Sequence, residues 1–325
     1  MKVCIYGAGA VGGFIGVQLS RLNCELSVVE VGATLEAIHK HGLRVKTHKE
    51  VITEKVRATD DPATLGAQNL IVIAVKAPAL SQVAKRIAPL IGPNTVVLTA
   101  MNGVLWWFFD GFGGRHSGMR LESVDPNGEI AAAIPSSHVV GCVVHGSFSL
   151  IEPGFTRLGS GARLIIGEPD GSDSDRVRTL AALLSDAGLD TFVSLKIQAD
   201  IWFKLWGNMT MNPISAITSA TCDQILGDPL VNRFCLDAMD EAARIGTEIG
   251  CPISQSGEER NALTRELGAF KTSMLQDVEA GKSVELDALV GAVREIGQKV
   301  GEPTPNIDAL LGLARLHARV RGLYP

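Results

Sequence analysis

The pattern of hydrophobic positions alternates between strands and helices in the first part of the chain. "KVCIYG", "CELSVVE", "NLIVIAV" and "TVVLTAM" are short apolar runs, and such continuous runs are typical of parallel strands that are covered on both faces. Helical spacing fills segments between them, as in "VGGFIGVQLSRLN" and "PALSQVAKRIAPLIG". This βαβ alternation predicts an α/β fold with a doubly wound parallel sheet.

The pattern changes after residue 195. Residues 138–167 hold three predicted strands, "HVVGCVVHGSFSL", "GFTRLGS" and "ARLIIGE", which are separated by Pro-Gly and Gly-Ser-Gly turns. A helix follows, and "LDTFVSL" adds a last strand to the sheet. Only helical patterns remain beyond that point. We therefore predict two domains, residues 1–195 with the sheet and an all-helical C-terminal domain of residues 196–325.

Composition and charge narrow the classes of function. At 325 residues and 34.4 kDa the chain can form two cores, and its net charge of −5 argues against a nucleic-acid partner. Six scattered cysteines show no CxxC spacing, so we expect neither disulfides nor a metal site. The sequence contains no uninterrupted apolar run of about 20 residues, so we expect no membrane span. We also expect no signal peptide, because the first predicted strand begins almost at the first residue. A reducing cytoplasm is the expected location.

The turn after the first strand matches the pattern G-x-G-x-x-G and comprises Gly7, Ala8, Gly9, Ala10, Val11 and Gly12. The first glycine permits a tight turn, the second lets a pyrophosphate approach the backbone, and the third lets helix and strand pack closely. The phosphates would lie at the N-terminus of the following helix. The strand–turn–helix context favours a Rossmann-type dinucleotide-binding domain over an ordinary turn.

The identity of the dinucleotide depends on two charged residues. Glu30 ends the second strand, where an acidic residue binds the ribose 2′-hydroxyl of NAD(H). Its carboxylate would repel the 2′-phosphate of NADP(H), and the neighbouring Val31 supplies no cation. Lys76, after "IVIAV", could reach the adenosine end of the site. The residues alone leave both cofactors open.

Lys204 lies in an apolar stretch, "IWFKLWGNMTMNPISA", with Asn208 and Asn212 at spacings of four residues. A helix places these three polar side chains on one side. Apolar surroundings disfavour the charged amine and are expected to lower its pKa, as suits a general acid. The alternative is a lysine whose stem covers apolar surface. The two amides on the same side argue for a functional site, because polar groups on an apolar face need partners. Pro213 predicts a kink or a break of the helix after Asn212.

Three further polar residues are candidates. Asn102 follows the "TVVLTAM" strand, at the edge where open α/β sheets bind ligands. Ser273 lies in a helical run, and Glu285 precedes another helix. Taken alone, Glu285 is explained by the preference of a helix N-terminus for negative charge.

An aromatic segment interrupts this order. "LWWFFDGFGG" at 105–114 sets four consecutive aromatic residues before a glycine-rich stretch. One interpretation is a loop whose rings pack beneath it in a small core, and the other is a wall or lid over a pocket. In the second case the rings would suit a bulkier or aromatic substrate.

Together these segments closely resemble the ketopantoate reductase (2-dehydropantoate 2-reductase) family. The resemblance rests on "GAGAVGG" at 7–13, "VKA" at 75–77, "MNG" at 101–103, "KLWGNMTMNPISAIT" at 204–218, "SMLQD" at 273–277 and "VELDALVG" at 284–291. The matches follow the family's order and cover nearly the whole chain. The lysine–asparagine helix and the last two motifs are specific to the family.

The resemblance implies an oxidoreductase of pantothenate biosynthesis that transfers a hydride from NAD(P)H to the carbonyl of a 2-oxo acid, with ketopantoate as substrate. It implies an active site between a Rossmann domain and a helical domain. Lys204 would be the general acid and Glu285 the carboxylate that orients the substrate. Asn208 and Asn212 would contact the substrate, Ser273 would lie near its carboxylate, and Asn102 would lie between nicotinamide and substrate.

Alternatives remain at this stage. Family members usually use NADPH and often carry an arginine where Val31 stands here, so Glu30 and Val31 point toward NADH. An NAD-linked D-2-hydroxy acid dehydrogenase for a bulkier substrate, a flavoprotein, and a nucleotide-sensing protein without catalysis are the competing hypotheses. The amphipathic "IDALLGLARLHARV" at 307–320 predicts either an intramolecular face or a homodimer contact.

Overall fold

The computed structural model describes all 325 residues and divides the chain into two compact units. The first unit comprises Met1–Met101, Asp110–Phe112 and Gly128–Ile197. The second comprises Asn102–Phe109, Gly113–Asn127 and Gln198–Pro325. The second unit therefore includes, besides the C-terminal helices, most of the segment between Asn102 and Asn127.

Ten strands form one mixed sheet in the first unit. They are β1 Lys2–Tyr6, β2 Glu25–Val29, β3 Leu43–Lys46, β4 Val51–Glu54, β5 Arg57–Thr59, β6 Leu70–Ile73, β7 Val96–Thr99, β8 Val139–Glu152, β9 Phe155–Gly167 and β10 Asp190–Val193. Their order is β4-β3-β9-β8-β7-β6-β1-β2-β5, and β10 pairs with β9 beside this path. All pairings are parallel except β3–β4 and β8–β9.

The predicted Rossmann-type fold class is confirmed by the parallel strands around β1. Buried aliphatic side chains of these strands pack with helix α1 (Ala10–Ser20) in one core. Phe14, Ile15 and Val17 are the main contributions of α1 to that core. The remaining helices of this unit are α2 Gly32–His41, α3 Leu80–Arg86, α4 Glu129–Ala133 and α5 Asp175–Asp186.

The prediction of three strands over residues 138–167 is wrong. β8 and β9 are two long antiparallel strands, because the second and third predicted strands are continuous through Gly159 and Gly161. The register shifts after His145 and again after Ser147, so the Gly-Ser-Gly stretch forms an irregularity inside a strand. Glycine in a strand often marks such a bulge. β4 was not predicted, because its residues give only a short polar alternation.

The second unit is helical, as the sequence predicts. Its helices are α6 Ile197–Thr218, α7 Cys222–Gly227, α8 Pro229–Glu248, α9 Gly257–Arg265, α10 Ser273–Glu279, α11 Ala292–Val300 and α12 Pro305–Val320. A π-helical turn, Asp287–Gly291, leads directly into α11. Such turns widen a helix locally and are frequent at functional sites.

The predicted break at Pro213 is absent, because α6 continues through it to Thr218. Pro213 removes one backbone donor. However, Met211 and Ile214 on either side are buried in a cluster with residues of α7, α8 and α12. We attribute the continuity of α6 to this packing, which outweighs the loss of one hydrogen bond.

The aromatic segment is part of the core of the second unit. Trp106, Trp107, Phe108 and Phe109 are each at most 4% exposed. The Phe108 ring lies 6.2 Å from that of Trp202 on α6, and the Phe108 carbonyl accepts a hydrogen bond from Gln198. The rings therefore offer no surface to a ligand, and the argument for a bulkier substrate loses its basis. The interpretation as a small core fits the burial.

All six cysteines are free thiols and five are buried, as expected for small apolar side chains. Burial raises the pKa values of Cys4, Cys235 and Cys251 to about 12. These thiols are therefore protonated and unreactive at neutral pH. No helix combines the length and hydropathy that a membrane span requires.

Candidate active site

The glycine loop has the geometry that its sequence predicts. Gly7 adopts a positive φ of 93°, and a Cβ there would lie 2.6 Å from Cγ1 of Val75. A Cβ on Gly12 would lie 1.9 Å from the carbonyl oxygen of Gly7. Any side chain at Gly7 or Gly12 would therefore collide with the neighbouring strand or with the loop itself.

Gly9 requires a different explanation. It occupies the N-cap position of α1 with φ −68°, and a Cβ there would meet nothing within 4 Å. No side chain caps this end of α1, so its first N–H groups and its dipole are available to an anion. The open space over Gly9 fits the pyrophosphate of a dinucleotide, whose close approach a side chain would prevent.

Glu30 follows β2 and ties the loop in place. Its Oε2 accepts a hydrogen bond of 2.6 Å from the N–H of Ala8, and its Oε1 accepts one of 3.0 Å from Val31. A carboxylate has further lone pairs that can accept from ribose hydroxyls. Val31 is 59% exposed and brings no positive charge. Lys76, three residues after β6, flanks the loop from the other side, because β1 lies between β2 and β6.

Helix α6 is fixed against α8 by its two tryptophans. The indole N–H of Trp202 donates to the carbonyl of Ala242 at 3.2 Å, and that of Trp206 donates to Met239 at 2.7 Å. Both rings are almost fully buried. These bonds set the rotation of α6, and thereby direct Lys204 and Asn208 away from the α8 contact. The two tryptophans thus explain why a lysine stands in so apolar a stretch.

Lys204 and Asn102 are in direct contact. Nζ of Lys204 donates to Oδ1 of Asn102 at 2.7 Å, across 102 residues of sequence. Asn102 is held by its neighbours: Gly103 has φ 85°, and Val104 donates a 2.9 Å hydrogen bond to the carbonyl of Ala288. A Cβ on Gly103 would lie 2.5 Å from that carbonyl oxygen, so only glycine permits the contact.

The two asparagines of α6 have side chains without hydrogen-bond partners in the protein. Asn208 is half-buried, and Asn212 is 5% exposed. Amide groups without a partner in the protein are free to hydrogen-bond to a ligand or to water. A polar ligand lying along the Lys204 side of α6 would satisfy both amides.

Glu285 and Ser273 occupy different environments. Glu285 is 5% exposed and lies three residues before Ala288, the residue that anchors the Asn102 segment. Ser273 is exposed at the first position of α10 and makes no side-chain hydrogen bond with the other candidates. The structure thus links Lys204, Asn102 and the Glu285 segment through contacts, and it leaves Ser273 unconnected to them.

The C-terminus braces the Glu285 segment. Val284 donates a hydrogen bond to Leu323, and the hydroxyl of Tyr324 donates to Asp287 at 2.6 Å. Burial raises the pKa of the Asp287 carboxyl above its ordinary value, and the pKa of Tyr324 rises to about 12 through burial and its bond to Asp287. Tyr324 therefore keeps its proton at neutral pH and remains a donor.

Sequence reasoning missed several residues of this arrangement. Gly103 and Ala288 meet only after folding, although the glycine after Asn102 was a signal for a special turn. Arg260 on α9 packs its guanidinium over the ring of Phe203, 5.2 Å from its centre, and against Gly207 of α6. A glycine inside a helix was the available signal for that contact.

The fold and these contacts define a class of protein. A dinucleotide-binding loop on a Rossmann-type sheet, combined with a helix that carries a lysine and two asparagines, is typical of a nicotinamide-dependent oxidoreductase.

Comparison with known proteins gives the family. The ketopantoate reductase PanE/ApbA family matches residues 3–108, and its C-terminal domain matches residues 196–318. A 2-dehydropantoate 2-reductase from Mesorhizobium japonicum is 43% identical over 325 residues, with all of both chains covered. The chain belongs to the ketopantoate reductase family, and the resemblance inferred from its motifs is confirmed.

Solved structures support the same assignment. A provisionally assigned ketopantoate reductase from Ralstonia solanacearum MolK2 is 57% identical and covers 99% of each chain, with a TM-score of 0.95. D-mandelate dehydrogenase with NADH and anilino(oxo)acetate has a TM-score of 0.85 at 22% identity, covering 99% of this chain and all of the other. A dimeric ketopantoate reductase from Staphylococcus aureus has a TM-score of 0.74 at 20% identity, with the same coverage. The last two show the fold alone.

The two glycines of the loop predict opposite phenotypes. Gly9→Ala should leave the melting temperature within about 2 °C of wild type but weaken NADPH binding about tenfold or more, because its Cβ would enter the open space. Gly12→Ala should destabilise by roughly 1–3 kcal/mol, because its Cβ would collide with the carbonyl of Gly7. Urea unfolding and fluorescence titration measure both. Unchanged NADPH affinity in Gly9→Ala would contradict the pyrophosphate placement.

Proposed function

We propose that this protein reduces the ketone of 2-dehydropantoate to the alcohol of pantoate, with Lys204 as the general acid. The observation that carries the proposal is the polar stripe on α6, where Lys204 bonds to Asn102 and the Asn208 and Asn212 amides lack partners. Family membership supplies the substrate. The domain division at residues 195 and 196 forms part of the proposal, with the sheet binding the dinucleotide and the helices binding the substrate.

The chemistry assigns a task to each residue. A nicotinamide cofactor held at the glycine loop would supply the hydride that the carbonyl carbon receives. As the C=O π electrons move to oxygen, the ammonium of Lys204 stabilises the developing negative charge and then transfers its proton to that oxygen. The Asn102 oxygen holds the amine in place at 2.7 Å. The product gains the proton that Lys204 loses, and solvent restores it.

The other candidates bind and orient the substrate. Asn208 and Asn212 offer amide groups to its oxygens. Glu285, held next to the Asn102 anchor, accepts a hydrogen bond from the substrate hydroxyl. Ser273, through its resemblance to the family's serine, contributes near the carboxylate, where its exposure leaves it accessible.

The cofactor is NADP(H) or NAD(H). Family resemblance supports NADP(H), and Lys76, three residues after β6, is a cation near the glycine loop. Glu30 and the exposed Val31 favour NADH, because no cation stands at the end of β2 and the carboxylate repels a 2′-phosphate. We propose that the preference for NADPH is weak or reversed in this protein. The reduced state of the six thiols fits a cytoplasmic enzyme.

The C-terminal helix α12 supports a homodimer. Leu313, Leu316 and Val320 lie on one exposed face and are 60%, 60% and 80% exposed. Three such side chains at helical spacing form an apolar stripe of the kind that packs against another helix. We propose that a second copy of this chain covers it.

Replacement of Lys204 tests the general acid. Lys204→Ala should reduce kcat for 2-dehydropantoate by roughly 10²–10⁴-fold, the usual contribution of a general acid. The dissociation constant for NADPH should change no more than about twofold, because the dinucleotide loop lies in the other unit. The matched control is Lys196→Ala, an exposed lysine just before α6. Turnover of Lys204→Ala close to wild type would refute the role.

Glu30→Gln tests the cofactor preference. The amide keeps an acceptor for the Ala8 N–H but removes the charge, so the ratio of kcat/KM for NADPH to that for NADH should rise about tenfold or more. The control is Glu25→Gln at the opposite end of β2. Steady-state kinetics with both cofactors gives the ratio. A wild-type enzyme with strong NADPH preference, unaffected by Glu30→Gln, would show that Glu30 does not select the cofactor.

The dimer is tested by analytical ultracentrifugation. Wild type should sediment with about twice the chain mass of 34.4 kDa, and Leu316→Glu should shift it to the monomer because a buried charge opposes the contact. Leu230→Glu is the control, since Leu230 is 82% exposed on a different helix. A monomeric wild type at micromolar concentration would be the contrary result.

A further inference from the structure

Arg260 of helix α9 carries a positive charge that no acidic group of the protein neutralises. Its guanidinium makes no ion pair, and its Nε is buried without a hydrogen-bond acceptor. Burial alone lowers its pKa from the ordinary value. Two other partly buried arginines are paired with carboxylates, Arg44 with Glu152 and Arg176 with Glu168. A partly buried arginine is normally paired, so its isolation requires an explanation.

Helix α6 is shaped to receive this guanidinium. A Cβ on Gly207 would lie 3.1 Å from Nε of Arg260 and 3.3 Å from its Nη2, so a larger residue would crowd the guanidinium. Glycine in a helix interior costs roughly 1 kcal/mol relative to alanine. The Phe203 ring covers the other side of the guanidinium at 5.2 Å. Arg260 is thereby held against α6 by a glycine that has no other evident purpose.

The position of this contact on α6 matters for function. Gly207 lies three residues after Lys204 and directly before Asn208, and residues three apart on a helix have Cβ atoms about 5–6 Å from each other. Arg260 therefore packs against the same turns of α6 that carry Lys204 and Asn208. Its guanidinium, the amine and the two amides without partners are donors that suit an anion with several oxygen atoms.

We propose that Arg260 binds the carboxylate of the 2-oxo acid substrate and so selects acids over neutral ketones. This inference rests on the proposed function and adds to it a residue of the substrate site. A guanidinium can donate two parallel hydrogen bonds to a carboxylate, which fixes the orientation of the adjacent carbonyl. The carboxylate and the reacting carbonyl are bonded to each other, so Arg260 and Lys204 must act on adjoining atoms. Ser273 would then share the carboxylate with Arg260.

A purely structural role would rest on the contact between Arg260 and Phe203. Such a cation–π contact is worth about 0.5–1 kcal/mol at an exposed site, and its loss would not depend on the charge of the substrate. The two roles therefore differ in one measurable respect. Only the binding role makes the effect of a substitution depend on whether the substrate carries a carboxylate.

The experiment compares two substrates in each variant. One is 2-dehydropantoate, and the other is its primary amide, which keeps the ketone but has no charge. With Arg260→Gln, kcat/KM for the acid should fall roughly 10- to 100-fold, mostly through KM, as for the loss of a charge-assisted hydrogen bond. For the amide it should change no more than about twofold. Arg260→Lys keeps the charge but loses the two parallel donors of the guanidinium, so its kcat/KM for the acid should lie between those of wild type and Arg260→Gln.

Two further variants keep the test decisive. Arg265→Gln on the same helix removes an arginine whose bond is to the carbonyl of Leu226, and it should affect neither substrate selectively. Gly207→Ala crowds the guanidinium without altering any charge, and it should lower kcat/KM for the acid in the same direction but by less than Arg260→Gln, with no selective effect on the amide. Equal losses for acid and amide, or no loss for either, would overturn the proposal. If the wild-type enzyme reduces 2-dehydropantoate with neither cofactor, that result contradicts the proposed function itself and not only the role of Arg260.

Discussion

The hydrogen bond between Lys204 and Asn102 is the interaction on which the proposed substrate site depends. It joins a side chain of α6 to a residue 102 positions earlier in the chain. Each partner is held independently, Lys204 by the tryptophan bonds between α6 and α8, and Asn102 by the contact of Gly103 with Ala288. The amine is thus held in one position by contacts that require no substrate, as the proposed general acid needs.

The same contacts connect the other functional residues. Ala288 belongs to the π-helical turn that begins two residues after Glu285, and Tyr324 holds this turn through Asp287. A displacement of the C-terminus would therefore move Glu285 and Asn102 together. In the sheet unit, Glu30 serves a comparable structural purpose, because its carboxylate accepts a hydrogen bond from the glycine loop. In the proposed function the same carboxylate also takes part in cofactor selection.

Sequence patterns predicted those features whose causes are local. The parallel strands, the glycine loop and the stripe of Lys204, Asn208 and Asn212 follow from periodicity over a few residues. The missed features depend on contacts between distant positions: α6 passes through Pro213 because tertiary packing supports it, and the Gly-Ser-Gly stretch stays within β9 because β8 pairs along it. Arg260 was overlooked for the same reason, since only the fold brings it to Gly207.

A crystal structure with the oxidised cofactor and pantoate tests the central claim most directly. The account predicts that Nζ of Lys204 lies about 2.6–3.2 Å from the C2 hydroxyl oxygen of pantoate, while Asn102 still accepts from the same amine. A ligand bound away from α6, with the amine directed into solvent, would contradict it.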